Sequence, residues 1–337
     1  MLIPVFLFNG CSTEVDINGD GDDMPVVYCI LNPNDTVHYV KLNKTFIGET
    51  DAYQLAQESD SLFFEEAAVS IEKYKNGTIT DIIQFEKTTD IQKDTGLFAS
   101  DKNIIYKSTR RLTEGGESDI GDNIYKLKID VPSKNISVTS ETKIINNLII
   151  INPKISQNYL IGLTPSSSLN VEWKSANNAR LYELTVRFHY LEITDSGTTE
   201  KYVDWKQPSV VSSDLESGKD METGISGEGF LRFLSSAISA DDNVNKRLAH
   251  RNALDFIFTL AGDELNTYIQ VNKPSNSIVQ ERPAYTNIEN GIGIFSTRYQ
   301  RTISGKKLTD LTIDAIATND YTSHLNFADH TDSYYNY

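Results

Sequence analysis

The sequence predicts a mainly β protein: two β-sandwich-like modules carrying a few short helices. Three observations support this. Tyr125, Leu127, Ile129 and Val131 alternate with Lys126, Lys128 and Asp130, the period of a half-buried strand. Tyr182, Leu184, Val186, Phe188 and Tyr190 alternate in the same way with Glu183, Thr185, Arg187 and His189. Asn76-Gly77 separates two strand-like runs, residues 67–74 and 78–85, and supplies the positive φ that a two-residue hairpin turn needs.

The elements follow in order. Residues 1–11 read as the remnant of a signal peptide, and residues 12–24 as an acidic tether. The first module spans 25–152. It opens with the apolar run 25–31, then the turn cluster Asn32-Pro33-Asn34-Asp35. A second extended run, 36–46, places Val37 and Tyr39 on one face and His38, Val40 and Leu42 on the other. Residues 52–59 read as a short helix or an ordered loop capped by Asp51. In the hairpin's second strand Ile79, Ile83 and Phe85 share a face, with Asp81 an exception. Residues 104–106 and 125–131 are further strands, 113–122 a Gly/Glu-rich loop, and 136–151 strand-like up to Asn152-Pro153.

The second module spans 153–320. Leu169, Val171 and Trp173 line one strand face, and the alternation from 181 to 193 follows. Asp195-Ser196-Gly197 turns the chain, and 199–205 returns. Residues 212–229 read as a long polar loop. Residues 230–240 carry Leu231, Leu234 and Ile238 at helical spacing, for a helix on the sandwich or over a sheet edge. Leu254, Phe256, Phe258 and Leu260 alternate as a strand. A helix at 264–271 is stopped by Pro274, a late strand runs from 291 to 303, and 307–317 reads as a terminal helix. The tail, 321–337, carries Tyr334, Tyr335 and Tyr337 and is either partly ordered or docked on the body.

The front of the chain predicts location. An apolar stretch, Leu2 to Phe8, leads to Asn9-Gly10-Cys11 and then a polar acidic run. The stretch is shorter than the ~20 residues that span a bilayer. It resembles a bacterial lipobox, with a small residue before the cysteine, although Phe8 and Asn9 depart from the usual pattern and no cation precedes them. The resemblance implies lipidation of Cys11. The acidic run behind it resembles the surface-export signal of Bacteroidetes-type lipoproteins and implies the outer face of the outer membrane. Asp16-x-Asn18-x-Asp20-Gly21-Asp22 matches the opening of a calcium loop. Position twelve is Val27 rather than a bidentate Glu, so a solvated spacer is the simpler reading.

Trp173 on one strand, a short turn carrying Ala176 and Ala179, then Tyr182-x-Leu184-x-Val186 resembles fibronectin type III and related immunoglobulin-like sandwiches, where a Trp fills the gap between sheets ~10 Å apart. The segment from Leu31 to Val40, the run Ala67-Ala68-Val69-Ser70-Ile71 and the segment from Tyr285 to Phe295 together resemble a family of Bacteroidetes outer-membrane lipoproteins of unknown function. That resemblance covers most of the chain after Cys11. It implies location and partnership with an outer-membrane transporter, and offers no catalytic residues to transfer.

Composition narrows the classes. A formal charge of −16 disfavours nucleic acid and direct adhesion to an anionic membrane. With Cys11 lipidated, Cys29 of the two cysteines has no partner and reads as an inert buried thiol. No Gly-x-Ser-x-Gly, phosphate loop, His-Glu-x-x-His or Cys-x-x-Cys occurs. The five histidines, His38, His189, His250, His324 and His330, are scattered; His324 and His330 with Asp329 and Asp332 form the one candidate metal group, read as solvated tail. Glu65-Glu66 and Asp241-Asp242 are adjacent acids that a strand would point apart. Tyr202, Trp205 and the tail tyrosines are candidates for stacking on sugar rings or for packing.

The expectation is a monomeric, surface-anchored lipoprotein without catalytic, cofactor or metal residues. It binds a transporter, a glycan or a peptide at the outer membrane. Two rivals stand beside it. One is an extracellular hydrolase using carboxylates near residues 212–229. The other is a pilin-like subunit completed by a neighbour's strand, with Arg110-Arg111 as a cleavage point.

Overall fold

The computed structural model describes residues 24–45, 56–58, 62–94, 96, 102–112, 122–156, 159–273 and 285–335. Cys11, the apolar stretch before it, the calcium-loop opening, and most of the segments 52–59 and 113–122 lie outside the described residues.

The described chain is mainly β, arranged as two bodies joined through one sheet. The first body holds β1 (Pro25–Leu31), β2 (His38–Lys44), β3 (Ala68–Lys75), β4 (Thr78–Thr88), β5 (Ile105–Ser108), β6 (Ile124–Val131) and β7 (Ile136–Lys143). Their order in space is β1-β2-β5-β4-β3-β6-β7. Alternation sets the inside. Val27, Cys29 and Leu31 of β1, Val40 and Leu42 of β2, and Tyr125, Leu127, Ile129 and Val131 of β6 are all buried in one apolar core. The sheet rolls on itself: Thr139 of β7 bridges Glu289, and its hydroxyl meets the Glu289 carboxylate at 2.7 Å.

The second body is a sandwich. One layer is β12 (Gly197–Lys206), β11 (Leu181–Thr194), β15 (Lys246–Ala261) and β16 (Ile292–Leu308), side by side in that order. The other is β14 (Asp220–Ser226), β10 (Ser168–Lys174) and β8 (Ile149–Asn152). Read along the chain, β8, β10 and β14 fall in one layer and β11, β12, β15 and β16 in the other. The side chain of Trp173 fills the gap, its ring 5.6 Å from Phe258 in an edge contact and 6.0 Å from Tyr182. Two short strands, β9 (Leu160–Ile161) and β13 (Val210–Val211), add to β16 and β11.

β16 belongs to both bodies. Its first residues, Ile292 to Thr297, run parallel to β1, and the stretch from Arg298 to Lys306 runs antiparallel to β15. The first core accordingly takes in Ile288 and Phe295 from far downstream. The cores change over between Ile144, in the first, and Ile145, in the second.

Helix α1 (Gly227–Ala237) buries Phe230, Leu231 and Leu234 against the sandwich. Its cap is Ser226, whose hydroxyl accepts from the Gly229 amide at 3.0 Å. Helix α2 (Asp263–Asn272) lies along β16, and helix α3 (Asp310–Thr318) follows it with Thr309 as cap. The tail docks rather than trailing. Phe327 is buried, the Tyr335 hydroxyl donates to the Ala249 carbonyl at 3.0 Å, and the Arg251 guanidinium lies 5.1 Å from the Tyr334 ring.

Several expectations change. Residues 136–151 make two strands in different sheets. Residues 212–229 are no single loop: β14 pairs with β10 along its whole length, and α1 begins at Gly227. Only Ile225 of β14 is buried, because β10 supplies most of the inward side chains and β14 needs little more than the ladder. The terminal helix starts at Asp310 rather than 307, since Lys307 and Leu308 still pair with β9. Ile79 is not inward with Ile83 and Phe85. A register shift between Lys73 and Tyr74 precedes the hairpin tip, and Ile79 is left exposed.

Candidate functional site

An open concavity among the described residues lies where β4 and β5 part. β4 is long and serves two partners: it pairs with β3 along most of its length and with β5 only through Glu86, Lys87 and Thr88. Beyond Ser108 the chain leaves the sheet. Arg110 then reaches back to β4, its guanidinium donating to both Asp81 carboxylate oxygens at 3.0 and 3.1 Å and to the Ile82 carbonyl at 3.1 Å. The bidentate pair fixes the departing strap. Between strap and strand is an open groove of about 710 Å³.

Strand alternation decides what lines it. Ile83 and Phe85 point into the core, so Ile82, Gln84 and Glu86 point out into the groove. Lys107 stands opposite Glu86 on one side and the exposed Tyr39 of β2 on the other. Lys87, Thr88 and Asp90 complete one wall; the Lys87 ammonium donates to the Glu65 carbonyl at 2.7 Å. The groove offers donors of both kinds, carboxylate acceptors and one apolar contact at Ile82. That set suits hydrogen bonding to an extended polar chain. Neither His nor Cys lines it; the hydroxyls of Thr88, Thr89, Ser108 and Thr109 stand among Lys87, Lys107, Glu86 and Asp90.

The sequence-named residues do not converge. His38 is buried in the first core; burial holds its pKa below the usual imidazole value against the opposing pull of Asp35. His189 Nε2 lies 3.0 Å from Asp255 on the outer face of the second body. His250 Nδ1 accepts from the Asn252 amide at 3.1 Å. His330 Nδ1 meets the Asp314 carboxylate at 2.6 Å, away from His324. Among the described residues no three His, Cys, Asp or Glu side chains gather as metal ligands. Asp241 serves its own turn, accepting from the Asn243 amide at 2.9 Å, and Glu65 and Glu66 are exposed.

Where the hydrolase reading looked, two acids do meet. Glu172 of β10 stands directly opposite Glu222 of β14, and the Asn170 side-chain amide donates to both, at 3.1 and 2.7 Å. They lie on the outward face of the three-stranded sheet, turned away from Trp173, and no part of the groove includes them.

The aromatic candidates divide. Trp205 stacks on Phe233 with centroids 5.5 Å apart and serves to pack α1. Tyr334 and Tyr335 hold the tail, and Tyr337 lies outside the described residues. Tyr202 is exposed. Cys29 is buried, and burial raises its thiol pKa well above the usual value. Sequence reading missed the groove because its walls are strands distant in the chain; the signal within reach was the outward run Ile82-x-Gln84-x-Glu86.

No family model matches the chain, and no curated protein is similar to it at a significant level.

Proposed function

We propose that this chain is a non-catalytic binding module held at the outer membrane by lipid on Cys11, with the groove at the β4–β5 fork as its binding surface. The observation that carries the reading is the groove itself: open, polar, braced by Arg110 and Asp81, and lined by neither His nor Cys. The lipobox-like sequence at Cys11 and the acidic residues after it support attachment and surface display. The likeness to Bacteroidetes outer-membrane lipoproteins, and of the second module to fibronectin type III, fits the same role, with a transporter, a glycan or a peptide as partner.

The rivals have less behind them. The pilin reading requires a sandwich short of a strand, whereas the second body has all three strands of one layer and all four of the other in place. The hydrolase reading requires two carboxylates across a cleft, whereas Glu172 and Glu222 share an open sheet face.

The test is capture from native envelope by the full lipidated protein, repeated with Lys107→Glu. Recovery of a transporter or glycan that Lys107→Glu abolishes supports the proposal. Recovery indifferent to the groove variant, or cleavage of glycan by the purified protein, overturns it. Mass spectrometry of the mature protein checks the anchor: acyl chains on Cys11 are expected, and an unmodified N-terminus upstream of Cys11 removes it.

A further inference from the structure

The outer face of β12, β11 and β15 carries an ordered polar cluster around one exposed ring. Arg187 of β11 stands opposite Asp204 of β12 and Asp255 of β15. Its guanidinium donates to both Asp204 oxygens, at 2.7 and 2.9 Å. That hydrogen bonding raises the Arg187 pKa and lowers that of Asp204. The same guanidinium lies 3.9 Å from the centre of the Tyr202 ring and covers one of its faces. His189, opposite Tyr202, is held by Asp255 at 3.0 Å, and Asp255 is itself fixed by the Gly305 amide at 2.8 Å. Glu200, two residues from Tyr202 along β12, approaches His189 Nδ1 at 3.9 Å.

We infer that this face is a binding platform for a neutral glycan chain, with Tyr202 as the stacking residue. Four features lead there. Tyr202 is 56% exposed although one face lies under Arg187, so the other face meets solvent. The apolar C–H face of a pyranose ring fits such a surface, and the ring is already immobilised, which lowers the entropy cost of binding. Asp204, Arg187 and His189 surround the ring with acceptors and donors locked by their own hydrogen bonds, as recognition of hydroxyl groups requires, and Glu200 adds an exposed carboxylate. Arg187 and His189 are already paired with Asp204 and Asp255, and Glu200 adds a further carboxylate, which disfavours an acidic sugar. β12 is the last strand of its sheet, so the surface has no end wall. It takes internal units of a chain rather than a terminus.

A structural role accounts for Arg187, which ties β11 to β12 and faces Asp255 of β15. It does not account for Tyr202, which contributes surface contacts with Arg187 and His189 and whose hydroxyl bonds to no described residue.

The inference rests on the reading of the chain as a binding module but uses a surface apart from the groove. The test is calorimetry and saturation-transfer NMR on the full chain with neutral gluco-, manno- and xylo-oligosaccharides of two to eight units and with a uronate series. Saturable binding that strengthens with length is expected for a neutral series. Tyr202→Ala should weaken it at least about tenfold, and Tyr202→Trp should restore it. Circular dichroism confirms that the variants fold. No binding to any neutral series, binding confined to uronates, or binding indifferent to Tyr202→Ala overturns the platform. The envelope-capture test at the groove stands or falls separately.

Discussion

Gly293 sits where the two bodies are joined, and replacing it by alanine tests that joint. Its φ is +118°, a conformation that L residues rarely adopt, and a Cβ there would lie 1.9 Å from the Val27 carbonyl oxygen and 2.8 Å from its carbon. Two costs add. The backbone term is about 1–3 kcal/mol. Relieving the contact requires β1 to move off β16, which loses one or two parallel ladder bonds at about 1 kcal/mol each. Gly293→Ala should therefore destabilise by roughly 2–5 kcal/mol. Gly77 is the control: φ is +79°, but nothing lies within 4 Å of its Cβ position. Gly77→Ala should cost only the backbone term, about 1–3 kcal/mol.

The assay is urea unfolding followed by two signals. Both tryptophans, Trp173 and Trp205, pack in the second core, so fluorescence reports that body while far-ultraviolet circular dichroism reports both. Because β16 runs through both bodies, Gly293→Ala should move both transitions, whereas Gly77→Ala should move mainly the dichroism. If Gly293→Ala proves no worse than Gly77→Ala, the close approach of β1 to β16 is wrong. If fluorescence is unmoved, the shared strand does not couple the bodies.

Four further predictions follow from buried or latched groups. Arg247 is buried and donates to Glu192 at 2.9 Å, the Leu325 carbonyl at 2.6 Å and the Ser239 carbonyl at 3.0 Å, so Arg247→Ala leaves Glu192 and two carbonyls without it and should cost about 3–5 kcal/mol by urea midpoint. Burial raises the Glu192 pKa, but hydrogen bonds from Lys201 and Arg247 outweigh it and the net shift is downward. Its stabilisation is present above the unfolded carboxylate value and is lost as pH falls through the lower folded one, so Glu192→Gln should flatten the acid limb of the stability profile. His330 has its pKa raised by the Asp314 hydrogen bond; its contribution is full below the unfolded imidazole value and is lost as pH rises through the folded one. Proteolysis of the tail should quicken across that window, and Asp314→Asn should remove the pH dependence. Cys29 should resist iodoacetamide in the native protein and react once urea opens the first body, and rapid native alkylation would contradict its burial.

What the sequence made legible is what neighbours along the chain decide. Asn76-Gly77 takes positive φ at both positions, and the alternations of β6 and β11 bury the residues that period two assigns to the inside. Trp173 fills an inter-sheet gap because a ring flanked by alternating apolar residues has nowhere else to go. Illegible parts depend on a distant partner. Asp220-Met221-Glu222-Thr223-Gly224-Ile225-Ser226 has the composition of a loop, and β10 makes it a strand. β16 shows its apolar start in sequence but not that it serves two cores.

The same distinction governs the two surfaces proposed for binding. His189 and Arg187 were readable as outward-facing, and outward polar residues on a strand are ordinarily solvated. What changes their meaning is the register across three strands. A shift of one residue between β11 and β12 would send Tyr202 to the opposite face and break the Arg187–Asp204 pair. That register follows from the two-residue turn Asp195-Ser196, after which Gly197 takes φ of +137° and pairs with Thr194. A short polar turn, featureless in composition, thus fixes where an aromatic ring is held over a guanidinium. The fork groove has the same origin. Asp81 breaks the apolar pattern of its strand, and Arg110 supplies the cation that explains why an acid stands there. Residues that disturb a local pattern mark where the distant chain arrives.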